Sequence, residues 1–140
     1  MYGIKNSLLD NSWAVVTGGS DGIGLAMCKK LAREGFNICI VSRSESKIKE
    51  KLEEIRKECR NGDDSFKTMC LVADFWKLRT MEDYRKVVGE KLQDLDVGVL
   101  VLNAGFAHVG PFAEISDEEL EKQVQVNANH VIYTAKAMVG

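Results

Sequence analysis

The sequence predicts an α/β protein built on a doubly wound parallel sheet, and three observations carry that reading. Four short apolar runs of strand type alternate with four helical patterns along the 140 residues. The first run opens onto a glycine-rich turn that leads into a helix. The fourth, VGVLVL, is nearly all apolar, as befits a strand covered on both faces.

Taken in order, Trp13 to Thr17 (WAVVT) is a compact apolar strand closed by glycines. GIGLAMCKKLAREG continues as a helix with Ile23, Met27 and Leu31 at helical spacing until Gly35 stops it. Asn37 to Ser42 is the second strand. Ile48, Leu52, Ile55 and Cys59 then recur at helical intervals through SKIKEKLEEIRKEC, an apolar stripe on a charged helix that ends near Asn61-Gly62. FKTMCLVA is the third strand, and Thr80 opens a helix with Met81, Tyr84, Val88 and Leu92 on one face. Val97 to Leu102 is the fourth strand. Ser116-Asp-Glu-Glu119 is a capping box, so the final helix starts there. No repeat or linker interrupts the pattern, which makes residues 1–140 one expected domain. The apolar fourth strand should sit centrally and expects a neighbour on its far side. None follows in the chain, so further protein is expected to complete the sheet.

Composition narrows the function classes. A content of 45% hydrophobic and 29% charged residues suits a soluble domain with a core, and a net charge of −2 with interspersed signs offers no basic face for nucleic acid. Cys28, Cys39, Cys59 and Cys70 lie far apart without a C-x-x-C, and are read as reduced, mostly buried thiols. His108 and His130 have no second ligand at a metal spacing and are read as surface or loop residues, so no metal is expected. No apolar run approaches the ~18 residues of a membrane span, and MYGIKNSLLDNS has neither the basic region nor the apolar core of a signal peptide. A cytoplasmic location is expected. A longer parent protein with an anchor upstream of Met1 leaves the endoplasmic reticulum membrane open.

The turn TGGSDGIG, residues 17–24, carries the first chemistry. Gly18 permits a tight turn, Gly22 lets the backbone approach a pyrophosphate, and Gly24 lets helix and strand pack closely. The helix N-terminus adds free N–H groups and partial positive charge for phosphates. At the end of the second strand, where a ribose-binding acid would mark NAD, stand Ser42 and Arg43. Arg43 pairs with a 2′-phosphate through forked, charge-assisted hydrogen bonds, which favours NADP. A surface arginine opening a helix would look the same.

The turn T-G-x-x-x-G-I-G, Asp74 in VADF, N-A-G at Asn103 to Gly105 and V-N at Val126-Asn127 stand in the order and spacing of the short-chain dehydrogenase/reductase family, and the whole chain resembles its N-terminal part. The wording WAVVTGGSDGIG, VSRS and GVLVLNAG looks most like the branch of 17β-hydroxysteroid dehydrogenases and 3-oxoacyl-CoA reductases of fatty-acid elongation. The resemblance implies a Rossmann-type sheet, about four βα units of the usual seven strands. It implies NADPH held by Gly18, Ser20, Asp21, Gly22, Ile23, Gly24, Ser42, Arg43, Asp74, Phe75, Asn103, Ala104 and Gly105. Asp74 would meet the adenine edge, and Asn127 would be the catalytic asparagine that holds a water in a proton relay. Asp74 capping the following loop is the plainer alternative. Leu102 stands where the family often has a further asparagine. Asp21 stands where many NADP-preferring members carry a basic residue, which counts against NADP, although the branch named above resembles this chain in having Asp there.

The family reaction is hydride transfer to or from a carbonyl or alcohol carbon, with a serine and a Tyr-x-x-x-Lys motif after a fifth strand. Both are expected outside these 140 residues, so this chain alone is expected to be inactive. Tyr133 and Lys136 share a helix face, but at i, i+3 and on the helix of Asn127, and are assigned ordinary amphipathic positions. Two classes follow: the cofactor half of an NADP-dependent oxidoreductase, homo-oligomeric in its full-length form, or a non-catalytic nucleotide-binding or interaction module that uses the open sheet edge.

Overall fold

In the computed structural model, which describes residues 12–139, the four strands form one parallel sheet in the order β3-β2-β1-β4. The strands are β1 Trp13–Thr17, β2 Asn37–Ser42, β3 Thr68–Val72 and β4 Val97–Leu102. The N-terminal stretch examined for a leader, up to residue 11, lies outside the described residues. The chain divides into two compact units, residues 12–72 with 94–103, and 73–93 with 104–139.

The first unit holds the sheet with α1 (Gly22–Arg33) and α2 (Glu45–Cys59). Register pairs Val15 with Cys39 on one side and with Leu100 on the other, so β1 is flanked at every turn of the pleat. From the sheet, Ala14, Val16, Ile38 and Ile40 meet Cys28 and Ala32 of α1 and Ile48, Leu52 and Ile55 of α2 in one cluster. Full burial of each large aliphatic side chain there contributes roughly 2 kcal/mol. The α2 stripe is the one the periodicity predicts. On α1 the buried side is displaced: Gly24, Cys28 and Ala32 face the sheet, while Ile23 is 76% exposed and Met27 is also exposed. Small residues let the helix backbone approach the sheet, and that requirement outranks the larger apolar side chains beside them.

β4 has the open far side expected of a sheet that further protein would complete. It forms the outer edge of the four strands, pairs only with β1 among the described residues, and is half-exposed along most of its length. The apolar pattern of a two-face-covered strand is present, but without a second neighbouring strand its outer edge stays open.

The second unit is built on two helices, residues 81–92 and 117–139, each carrying a π-helical turn, at Arg85–Gly89 and Gln125–Asn129. Capping boxes start both, Thr80 with Asp83 and Ser116 with Glu119. Tyr84, Val88 and Leu92 are buried as the spacing predicts. A Cβ at Gly89 would stand 3.2 Å from the Ala137 carbonyl oxygen, so the two helices touch backbone to backbone at that turn. Among the described residues no helix is long and apolar enough to cross a membrane.

His130 corrects the expectation of a surface or loop residue. It is fully buried, its ring lies 4.5 Å from that of Phe75, and Nδ1 sits 2.6 Å from the Val126 carbonyl oxygen. Burial pushes its pKa down, because the charged imidazolium loses water. The unfolded chain therefore binds the proton more readily. The stabilising effect of the neutral ring is fully present above the unfolded pKa of about 6.5 and is lost as pH falls through the lower folded value. Unfolding free energy from urea titrations is expected to fall between pH 7 and pH 5, by no more than about 1.4 kcal/mol per pH unit from this one proton. His130→Gln should flatten that slope, and an unchanged slope would remove His130 as its source.

Candidate functional site

The glycine turn is positioned by the ends of β1, β2 and β4. Gly18 adopts φ 66° and donates its N–H to the Val41 carbonyl at 2.8 Å, which ties the turn to β2. At Gly24 a Cβ would lie 2.4 Å from the Gly18 carbonyl oxygen and 2.5 Å from Asn103 Nδ2, so only glycine fits between helix and turn. Gly22 adopts φ 48°, and nothing lies within 4 Å of where its Cβ would stand. The cradle is thus tight at its base and open at its rim. Within the helix the first-turn amides of Ile23 and Gly24 have no carbonyl to bond, which suits an anionic group seated over Gly22. The residues present fit a dinucleotide pyrophosphate.

Asn103 closes the turn from β4. Its Nδ2 donates to the Thr17 carbonyl at 3.1 Å and to the Gly18 carbonyl at 3.4 Å, while its backbone N–H donates to Thr17 Oγ1 at 2.9 Å. Thr17 is fully buried. Two contributors to this framework escaped the sequence reading. Thr17 was part of the motif without a role of its own. Gly19 packs so closely that a Cβ would meet Cys28 Sγ at 2.9 Å and the Val16 carbonyl oxygen at 3.1 Å. The doublet Gly18-Gly19 was the available signal. Cys28 beneath it is buried, and its thiol pKa is pushed up to about 12 by desolvation, so it is a packing group and not a nucleophile.

At the end of β2 Ser20 and Ser42 share a hydrogen bond of 2.9 Å, and Ser20 is buried. Arg43 is exposed, and its guanidinium has no hydrogen-bond or ion-pair partner among the described residues. Asp21 caps α1 by accepting from the Gly22 N–H at 2.8 Å, and its other oxygen lies 2.6 Å from Lys47 Nζ. The hydrogen bond from Lys47 holds the Asp21 carboxyl below the usual carboxylate range, so the acid is charged and compensated. Lys47 lies 26 positions from Asp21, on another element, so no local pattern in the sequence marks the pair.

In the second unit Asp74 accepts from the Trp76 N–H at 3.2 Å, and its carbonyl accepts from the Lys77 N–H, so it does cap the following loop. Phe75 is buried, stacked at 6.0 Å on Tyr84 and packed on His130. Its ring belongs to the core of this unit. Ala104 is half-buried and Gly105 exposed. Asn127 lies in the π-helical turn and grips the Phe106 backbone at both ends of its amide: Oδ1 accepts from the N–H at 2.8 Å and Nδ2 donates to the carbonyl at 2.7 Å. The loop after Gly105 is therefore latched to the helix. Tyr133 packs edge-on against Tyr84 with centroids 5.3 Å apart, and Lys136 is exposed. Among the described residues no group of His, Cys, Asp or Glu side chains assembles a metal site.

Comparison with known proteins gives consistent relatives. Residues 12–140 match the short chain dehydrogenase family. The chain is 42% identical over 139 residues to a very-long-chain 3-oxoacyl-CoA reductase of Pyricularia oryzae, covering 98% of this chain and 39% of that protein. It is 41% identical over 119 residues to hydroxysteroid dehydrogenase-like protein 1 of Gallus gallus, covering 82% of this chain and 33% of the relative. Among solved structures, an alcohol dehydrogenase of the archaeon Thermococcus sibiricus complexed with 5-hydroxy-NADP superposes with a TM-score of 0.78 at 27% identity, covering 93% of this chain and 52% of that one. The chain thus spans well under half the length of these two curated relatives.

Proposed function

Given that the chain belongs to the short-chain dehydrogenase family, we propose that it is the cofactor-binding half of an NADP-dependent oxidoreductase acting on a carbonyl or alcohol carbon of a 3-oxoacyl or steroid substrate. The substrate class follows the relatives, one named as a very-long-chain 3-oxoacyl-CoA reductase and the other as a hydroxysteroid dehydrogenase-like protein. The observation that supports the cofactor reading is Arg43, an exposed cation directly after β2 with no partner among the described residues. The bound dinucleotide supplies the hydride. The residues of this chain bind and orient it: the Gly18–Gly24 turn receives the pyrophosphate, Asn103 fixes the turn, and Ser42 and Arg43 meet the ribose and its 2′-phosphate.

In this reading Asn127 acts by holding the loop at Phe106 in place. The proton donor lies outside these 140 residues, since Tyr133 is engaged in an aromatic contact and Lys136 does not share its helical i, i+4 row. Titration of the chain with NADPH and NADH, followed by calorimetry, tests the proposal. NADPH is expected to bind at least about tenfold more tightly, the equivalent of one charge-assisted contact of about 1.4 kcal/mol. Equal affinities would overturn the NADP assignment.

A further inference from the structure

Each lysine of α2 pairs with an acid, and three of the four stay on the helix: Lys49 with Glu45, Lys51 with Glu50 and Glu54, and Lys57 with Glu53. Lys47 alone of these reaches off it, to Asp21 across 26 positions of sequence. Its location in the first turn of α2 is also unfavourable for a cation, because the helix N-terminus is positive. That turn does suit an anion, and Lys47 adds a second positive group to it four positions after Arg43.

Two ties fix the distance between the glycine turn and the β2–α2 turn, the Ser20–Ser42 hydroxyl pair at 2.9 Å and the Gly18 N–H to Val41 carbonyl bond at 2.8 Å. The Asp21–Lys47 pair is a third link between the same two turns, at the exposed rim. An ammonium has three donors, and Asp21 occupies one. Asp21 would by itself repel a phosphate. With Lys47 bound to it, the same carboxylate becomes the anchor that keeps an ammonium beside the ribose position.

Resting on the NADP reading above, we infer that Lys47 is the second cation of the 2′-phosphate subsite and that Asp21 is its positioning residue. Arg43 supplies the planar fork and Lys47 the compact point charge, on one side the loose arginine and on the other a lysine held in place by Asp21. This assigns a use to the acid that the sequence alone counts against NADP.

The test measures binding of adenosine 2′,5′-bisphosphate and of 5′-AMP to the chain and its variants by calorimetry. Wild type should prefer the bisphosphate, and Lys47→Gln should weaken the bisphosphate about tenfold while leaving 5′-AMP unchanged. Asp21→Asn, which keeps the helix cap and removes the charge, should also weaken the bisphosphate. A Lys47→Gln loss shared equally by both ligands, or absent for both, overturns the inference. A rise in bisphosphate affinity for Asp21→Asn overturns the positioning role. Wild type without preference overturns the NADP reading itself, whereas a loss confined to Arg43→Gln leaves that reading standing and removes Lys47 from it.

Discussion

Replacing Gly24 with alanine is expected to cost about 3 kcal/mol of folding stability and to abolish dinucleotide binding. The added carbon would stand 2.4 Å from the Gly18 carbonyl oxygen and 2.5 Å from Asn103 Nδ2. The first of these is backbone, so relief requires the helix start to move away from the turn. That motion would release the Gly18 N–H from Val41 and the Asn103 amide from the turn carbonyls, the bonds that hold the cradle to β2 and β4. Gly22→Ala is the matched comparison. It meets empty space and suffers only the left-handed φ of 48°, about 1–2 kcal/mol. It should stay folded in urea titrations and still lose dinucleotide affinity, because its methyl group enters the rim where a phosphate would sit. Equal stability of the two variants would contradict the packing assigned to Gly24.

The contrast between these two glycines shows what the sequence could and could not convey. Strands, helices and the Ser116 capping box were legible, since hydrophobic period and caps are local properties of neighbouring residues. The buried side of α1 was not. Ile23 and Met27 present the larger apolar surface, yet Gly24, Cys28 and Ala32 face the sheet because close approach is set by the partner backbone. His130 misled for a related reason: a histidine is polar by type, and only the aromatic wall of Phe75 and the Val126 carbonyl make it a buried one. Lys47 was invisible because its partner lies on another element. The close packing at Gly24 was legible from residue identity, whereas the Asp21–Lys47 pairing depends on the crossover that brings α2 back beside the glycine turn.

Thr17→Val should likewise be costly, although it preserves shape. Thr17 is fully buried at the end of β1, and its hydroxyl oxygen accepts the Asn103 N–H at 2.9 Å. Valine removes the acceptor and leaves that donor unpaired beneath the turn, a loss of about 1–3 kcal/mol. Thr17→Ser keeps the oxygen and deletes a methyl, which should cost about 1 kcal/mol by transfer and cavity alone. Stability therefore does not separate the two variants cleanly, and binding does. Asn103 is set by Thr17 through its backbone and sets the turn through its side chain, so unpinning the N–H shifts the Nδ2 donor that bridges Thr17 and Gly18. Dinucleotide affinity should fall about tenfold in Thr17→Val and stay near wild type in Thr17→Ser. Equal affinities in the two variants would mean that the Asn103 side chain holds the turn without help from β1, and that the hydroxyl serves the strand end alone.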